Sequence, residues 1–230
     1  MDINSSELTE KTGAQIGAVT RRLSRREVDG ESGRVVTISQ TYPTSQADLW
    51  NAVTTGDRIS RWLMPITGDL KVGGHYQLEG NAGGEILECV EPHTLDVTWE
   101  YGGDVSWVTA RLTGDENSAT LEVEHTALVD DADWKQFGPG AVGIGWDSMF
   151  LGLALHLTSG ASMDPAEAMA WMESPDGIRF MTRSNDAWRE ANIAAGEKKA
   201  DADAAAARCL AAYTGVGPDP AEGVAGDVAG

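Results

Sequence analysis

A chain of 230 residues fits one generous domain or two small ones, and it can bury a core without disulfides or metals. Its formal net charge of −19, from 17 Lys+Arg against 36 Asp+Glu, repels phosphate backbones and anionic lipid surfaces, which argues against nucleic-acid and membrane partners. Cys89 and Cys209 lie far apart and form no CxxC or Cys/His cluster, so both are expected as reduced thiols of a cytoplasmic protein.

The N-terminus has no basic stretch followed by an apolar one, and no run approaches the roughly 18 apolar residues of a membrane span. Residues 1–34 are polar, end in the turn-prone run Asp29-Gly30-Glu31-Ser32-Gly33-Arg34, and read as an arm ahead of the fold. Within it Arg21, Arg22, Arg25 and Arg26 stand at i, i+1, i+4 and i+5, which predicts a short helix with one basic side. Such a side is either a solvated face or a dock for an acidic partner or this chain's own acidic surface. The β-branched run Val35-Val36-Thr37-Ile38 opens the first strand. After Pro43, Ser45-Gln46-Ala47-Asp48 matches a capped helix start and predicts a short helix through Leu49, Trp50 and Val53 to about Thr55. Gly56 breaks it, and Asp57 caps a second turn that carries Ile59 and Trp62.

The period then becomes two. Val72-Gly73-Gly74-His75 reads as a turn, with Tyr76 and Leu78 alternating against polar neighbours beyond it. Leu95, Val97, Trp99 and Tyr101 share one face of the next strand. Gly102-Gly103-Asp104 turns into a strand with Val108, Ala110 and Leu112 inward, and Gly114-Asp115-Glu116-Asn117 turns into another with Leu121, Val123 and His125 inward. Strands joined this tightly predict a meander.

Beyond the Gly-rich approach from Gly138 to Gly145, Trp146, Phe150, Leu153 and Leu157 recur at helical spacing, so a long amphipathic helix should lay one stripe on the sheet. Asp164-Pro165-Ala166-Glu167 and Ser174-Pro175 are two further helix starts, the second helix carrying Ile178, Met181, Trp188 and Ile193 until Gly196. An Ala-rich helix from Asp201 to Tyr213 follows, and residues 214–230 read as a disordered tail. Trp171, Met172, Phe180, Met181 and Trp188 are too many large apolar side chains for a free tail, so the helices of 159–213 are expected to pack on the domain of 35–158 or on a second subunit. Strands grouped before one long helix define an α+β layer arrangement.

Chemical motifs are sparse. His75, His93, His125 and His156 have no metal-ligand spacing, so no metal is expected, and there is no GxSxG, GxxxxGK[ST] or GxGxxG signal to imply a nucleophile elbow or a nucleotide cofactor. His125, on an apolar strand face, is either a core histidine bonded to a neighbour or a general acid/base. Asp147 either orients such a histidine or offsets the positive end of the long helix. The tryptophans Trp50, Trp62, Trp99 and Trp146 serve equally as ordinary core or as aromatic walls for a ligand.

The order Thr41-Tyr42-Pro43, Leu49-Trp50-Asn51-Ala52-Val53, Arg61-Trp62, Gly73-Gly74-His75-Tyr76, Gly84-Glu85-Ile86 and Val90-Glu91-Pro92 through Trp99, with Gly145-Trp146-Asp147-Ser148-Met149 later, resembles the activator of heat-shock-protein ATPase homologue-like family. That family sits in the START-like, polyketide-cyclase-like superfamily. The resemblance implies a helix-grip fold, an antiparallel sheet wrapped on a long C-terminal helix, with a cavity that in relatives holds apolar molecules. It implies no reaction and no cofactor. Ligand-facing residues are then expected at Trp62, Tyr76, Trp99, Tyr101, Leu121, Val123, His125, Trp146, Phe150 and Leu153. The expected function is binding of a small apolar or aromatic molecule by a monomer or homodimer without catalysis. The alternatives are a cyclase or hydrolase using His125 and a co-chaperone-like interaction domain.

Overall fold

The computed structural model describes residues 5–160, 162 and 164–215. Their strands, β1 (Thr20–Val28), β2 (Glu31–Tyr42), β3 (Ile66–Gly68), β4 (His75–Leu78), β5 (Gly83–Val90), β6 (Thr94–Tyr101), β7 (Asp104–Gly114) and β8 (Ala119–Ala127), form one antiparallel sheet. Its order is β1-β2-β8-β7-β6-β5-β4-β3. From β3 to β8 the chain runs as the expected meander; β2 then docks beside β8 and carries β1 with it at the edge.

The arginine-bearing segment is a strand, not the short helix that its spacing predicts, and residues 5–34 form a helix and a hairpin of the fold rather than a bare arm. Four arginines at i, i+1, i+4 and i+5 are compatible with either period, and two features, one local and one distant in sequence, decide for the strand. Asp29 and Gly30 take left-handed conformations, φ 51° and 87°, the backbone of a two-residue hairpin turn. In the resulting register Arg22 and Arg26 lie on the outer face and pair with Glu122 and Glu124 of β8, while Arg21 and Leu23 turn inward. Ahead of the hairpin, α1 (Ser5–Ala18) is held by Gln15, whose side-chain amide exchanges hydrogen bonds with that of Gln40 at 2.7 and 3.2 Å.

Two short helices, α2 (Gln46–Thr54) and α3 (Gly56–Trp62), stand between β2 and β3, the first capped as expected by Ser45 accepting from the Asp48 amide at 3.1 Å. A further helix, α4 (Asp131–Phe137), was not apparent in the sequence; it is capped by Asp130, which accepts from the amides of Ala132 and Asp133.

The long helix α5 (Gly140–Ser159) includes the Gly-rich run that reads as its approach. Glycine in a helix costs up to about 1 kcal/mol relative to alanine, and here close packing offsets it. A Cβ on Gly143 would lie 2.4 Å from the Trp188 ring, and one on Gly152 would lie 2.4 Å from the Trp62 carbonyl oxygen. Gly143→Ala is therefore expected to cost about 1–3 kcal/mol by forcing apart α5 and the helix that carries Trp188, readable as a lower midpoint in urea unfolding. An unchanged midpoint would mean that the indole repacks freely.

Helix α5 is buried on two sides. Trp146, Phe150 and Leu153 join the core against the sheet, while Ile144, Leu151 and Leu155 form a second core with Phe180, Met181 and Cys209. These last belong to α7 (Pro175–Ala194) and α8 (Lys199–Thr214), which with α6 (Pro165–Glu173) complete the fold. The two predicted caps hold: Asp164 accepts from the amides of Ala166 and Glu167, and Ser174 from that of Gly177. Length and composition alone would let α5 cross a membrane, but its apolar circumference is taken up by the sheet on one side and by α7 and α8 on the other. The tail expected over 214–230 lies outside the described residues beyond Thr214, the end of α8, and its cap Gly215.

One buried ion pair ties these layers together. Asp147, in the second turn of α5 and 1% exposed, accepts from Arg21 Nε at 3.0 Å and from a terminal nitrogen of the same guanidinium at 2.7 Å. It also accepts from Ser184 Oγ at 2.5 Å and from Trp188 Nε1 at 3.0 Å. Arg21 spends its other terminal nitrogen on the carbonyls of Ile16 and Val19. Asp147 thus neither orients His125 nor simply faces the helix start; it joins β1, α5 and α7.

Candidate functional site

Between the inner face of the sheet and α5 lies a cavity of about 160 Å³. Alternation along the strands builds its floor: Leu95, Val97 and Trp99 of β6, Val108 and Ala110 of β7, and Leu121 and Val123 of β8. Helix α5 supplies the roof through Trp146, Met149, Phe150 and Leu153, and Trp62, Tyr76 and Ile86 close one end. Leu70 and Cys89 line it and are exposed, so they mark its mouth. Cys89 was missed from sequence because strict alternation from Ile86 turns it outward. A bulge between Ile86 and Glu88 shifts the register, setting Cys89 opposite Leu95 on the cavity face. Both cysteines are free thiols, Cys209 buried among α7 and α8.

Of the residues expected to face a ligand, Trp62, Tyr76, Trp99, Leu121, Val123, Trp146, Phe150 and Leu153 line this cavity. Tyr101 and His125 do not. Tyr101 has the right parity on β6 but sits at the strand's end, paired with Asp104 across the hairpin and 63% exposed. The sheet runs on past the cavity there, and alternation reports which face a residue takes, not how far the opposing helix reaches.

His125 is buried behind the wall. Its Nδ1 accepts from Trp146 Nε1 at 3.1 Å, which places the ring proton on Nε2, 2.8 Å from Ser106 Oγ. Ser106 in turn donates to the Trp99 carbonyl at 3.0 Å. The rings form a compact stack: Trp99 and Trp146 have centroids 5.4 Å apart, and His125 stands edge-on to Trp146 at 5.8 Å. The histidine therefore fixes the orientation of two aromatic walls. Burial pushes its pKa down to about 4, so it is held neutral. Because the unfolded ring titrates near 6.5, the unfolded state gains a proton first as pH falls. The contribution is complete above about pH 6.5 and is lost as pH drops through about 4. The difference is roughly 3 kcal/mol. His125→Gln, which can accept from Trp146 and donate to Ser106 without titrating, should remove this part of the acid sensitivity when unfolding of both proteins is followed from pH 7 to 4. Parallel pH profiles would show that His125 does not govern it.

Polar tips elsewhere in the wall are also directed at protein. Trp62 Nε1 donates to the Ala52 carbonyl at 2.9 Å, and the Tyr76 hydroxyl donates to the Thr98 carbonyl at 2.8 Å. Burial, with Glu100 nearby, pushes the Tyr76 phenol well up and keeps it protonated. Among the described residues, no cluster of histidine, cysteine or carboxylate side chains has the geometry to hold a metal ion.

An antiparallel sheet closed over a long C-terminal helix with an apolar cavity between them is a helix-grip domain of the START-like class. The chain belongs to the activator of Hsp90 ATPase homolog 1-like family, whose sequence profile matches residues 43–158, a span that contains every cavity residue. It is similar to CalU16 of Micromonospora echinospora: 32% identical to the crystal structure over 76% of this chain and 98% of that one, with a TM-score of 0.61. The solution structure of CalU16 gives 31% identity, 78% and 97% coverage and a TM-score of 0.64. This likeness spans more of the chain than the family profile does, so shared architecture continues beyond residues 43–158. The conserved protein of unknown function EF2215 from Enterococcus faecalis, 14% identical over 82% of this chain and 98% of that one with a TM-score of 0.56, shares the fold. A search among curated proteins found no match.

Proposed function

We propose that the chain binds a small, uncharged, apolar molecule, a single or fused pair of aromatic rings in size, in the cavity beneath α5 and holds it without chemical change. The observation that carries this reading is that no lining side chain is charged and that Trp62, Tyr76 and Trp146 turn their polar tips to protein, so the walls present almost only carbon. An apolar cavity of about 150 Å³ is large enough for a benzene-sized guest, whereas a charged or strongly polar one would lose its hydration with nothing to replace it. Catalysis at His125 draws no support from its surroundings, since both ring nitrogens are engaged and the ring stands behind Trp99 and Trp146.

Naphthalene serves as the test ligand. It should bind saturably with quenching of tryptophan fluorescence, and Trp99→Ala should weaken binding at least about tenfold, or about 1.4 kcal/mol, while Trp171→Ala, outside the cavity, should not. Occupancy should also slow labelling of Cys89 at the mouth by a thiol-reactive dye. If naphthalene does not bind, or both tryptophan variants bind alike, the cavity is packing space and the reading fails.

A further inference from the structure

A second cavity, of about 410 Å³, opens where the β1–β2 hairpin meets α4 and the corner between α7 and α8, and its chemistry is the opposite of the first. Leu23, Arg25, Arg34, Trp134, Asn192 and Glu197 line it. Most of these lie outside residues 43–158, so this site is independent of the family's apolar cavity.

Arg25 and Arg34 are directly opposed across the antiparallel pair β1 and β2, so both guanidinium groups leave the same face of the sheet. Directly opposed like charges destabilise a sheet, and such a pair calls for a counter-charge. Arg34 has part of one: its guanidinium lies 4.4 Å from the Trp134 ring centroid and pairs through one terminal nitrogen with Asp131, itself 77% exposed. Its Nε is buried without a hydrogen-bond partner. Arg25 has none. The other arginines of β1 pair with Asp147, Glu122 and Glu124, whereas Arg25 forms no ion pair among the described residues. Glu197 also lines the cavity, but it forms no ion pair with either arginine; its carboxylate accepts from the Lys198 amide at 3.2 Å.

We propose that this cavity is a second ligand site, for a small organic oxyanion, a carboxylate or a phosphate ester on a flat apolar body. The anionic group lies between Arg25 and Arg34, where it supplies the missing counter-charge and accepts charge-assisted hydrogen bonds. The flat body occupies the space beside Trp134 and Leu23. In a chain of net charge −19, two opposed arginines at the wall of a cavity are a local exception that attracts an anion against the prevailing field.

Calorimetric titration of the full chain with benzoate, phenyl phosphate and the neutral counterpart benzamide tests the assignment. At least one anion should bind at a single site with an affinity that falls as salt is raised, and benzamide should bind at least about tenfold more weakly. The tighter anion tells carboxylate from phosphate ester. Arg25→Gln should reduce anion affinity at least about tenfold, abolish the rise in melting temperature that the anion confers, and leave the unliganded melting temperature equal or higher, because it removes a like-charge opposition. Trp99→Ala should bind the anion as the parent does, and Arg25→Gln should bind naphthalene as the parent does, so failure here is distinguishable from failure of the apolar site. Absence of saturable binding by both anions, equal binding of benzamide, or full affinity in Arg25→Gln would each overturn the proposal.

Discussion

Asp147→Ala is expected to lower the stability of the fold by about 3–5 kcal/mol, because removing one member of a buried ion pair leaves the other charge uncompensated. Arg21 is 6% exposed in its side chain, and without the carboxylate its Nε and one terminal nitrogen lose their partners in a site that water scarcely reaches. The indole N–H of Trp188 and the hydroxyl of Ser184 are orphaned with it. A loss of that size is a large part of the 5–15 kcal/mol by which a domain is ordinarily stable. Urea unfolding would read it directly, and a midpoint close to that of the parent would show that the pair is not a structural tie. The double variant Arg21→Met, Asp147→Leu separates attraction from desolvation. With no buried charge remaining it should recover much of the loss, so the two single effects should be far from additive.

How much of this was legible in the sequence differs from element to element. The meander was legible because apolar and polar residues alternate cleanly in β6 to β8 and glycines mark the turns, and the caps at Ser45, Asp164 and Ser174 were legible because side chain and amide are close neighbours in the chain. Alternation also turned the floor residues of β6 to β8 inward and helical spacing gave the roof residues of α5, while the cavity between them was implied by the family resemblance. What did not follow depended on contacts distant in sequence. Arg21 to Arg26 suit either a helix side or two strand faces, and besides the turn at Asp29-Gly30 it is Glu122, Glu124 and Asp147, about a hundred residues away, that select the strand. Glycines 143 and 152 look like helix breakers until Trp188 and Trp62 are seen lying against them. The alternation that puts Tyr101 inward says nothing about where α5 ends, and the bulge that turns Cys89 inward leaves no signature in composition. The Asp29-Gly30 pair was the one available clue to the hairpin, and the arginine spacing competed with it.

Ending the chain at Ser162 should lower the melting temperature by many degrees or drive the protein to aggregate, because α6, α7 and α8 cover the rear of α5. Their loss would expose Ile144, Leu151 and Leu155, each at most 4% accessible in the whole chain, along a helix whose other side must still grip the sheet. Each such side chain contributes about 1.5–3 kcal/mol when buried, so uncovering several of them rivals the net stability of the domain. The cut also removes Ser184 and Trp188 from Asp147, leaving Arg21 as its sole buried partner. Every residue lining the apolar cavity survives the cut, yet naphthalene binding should fall with stability, since Trp146 and Phe150 are held at the roof only while α5 is pressed from behind. Differential scanning calorimetry, light scattering and the naphthalene titration on the shortened chain distinguish the outcomes. A soluble monomer with the parent's melting temperature would show that residues 163–230 are an appendage to a domain already complete without them.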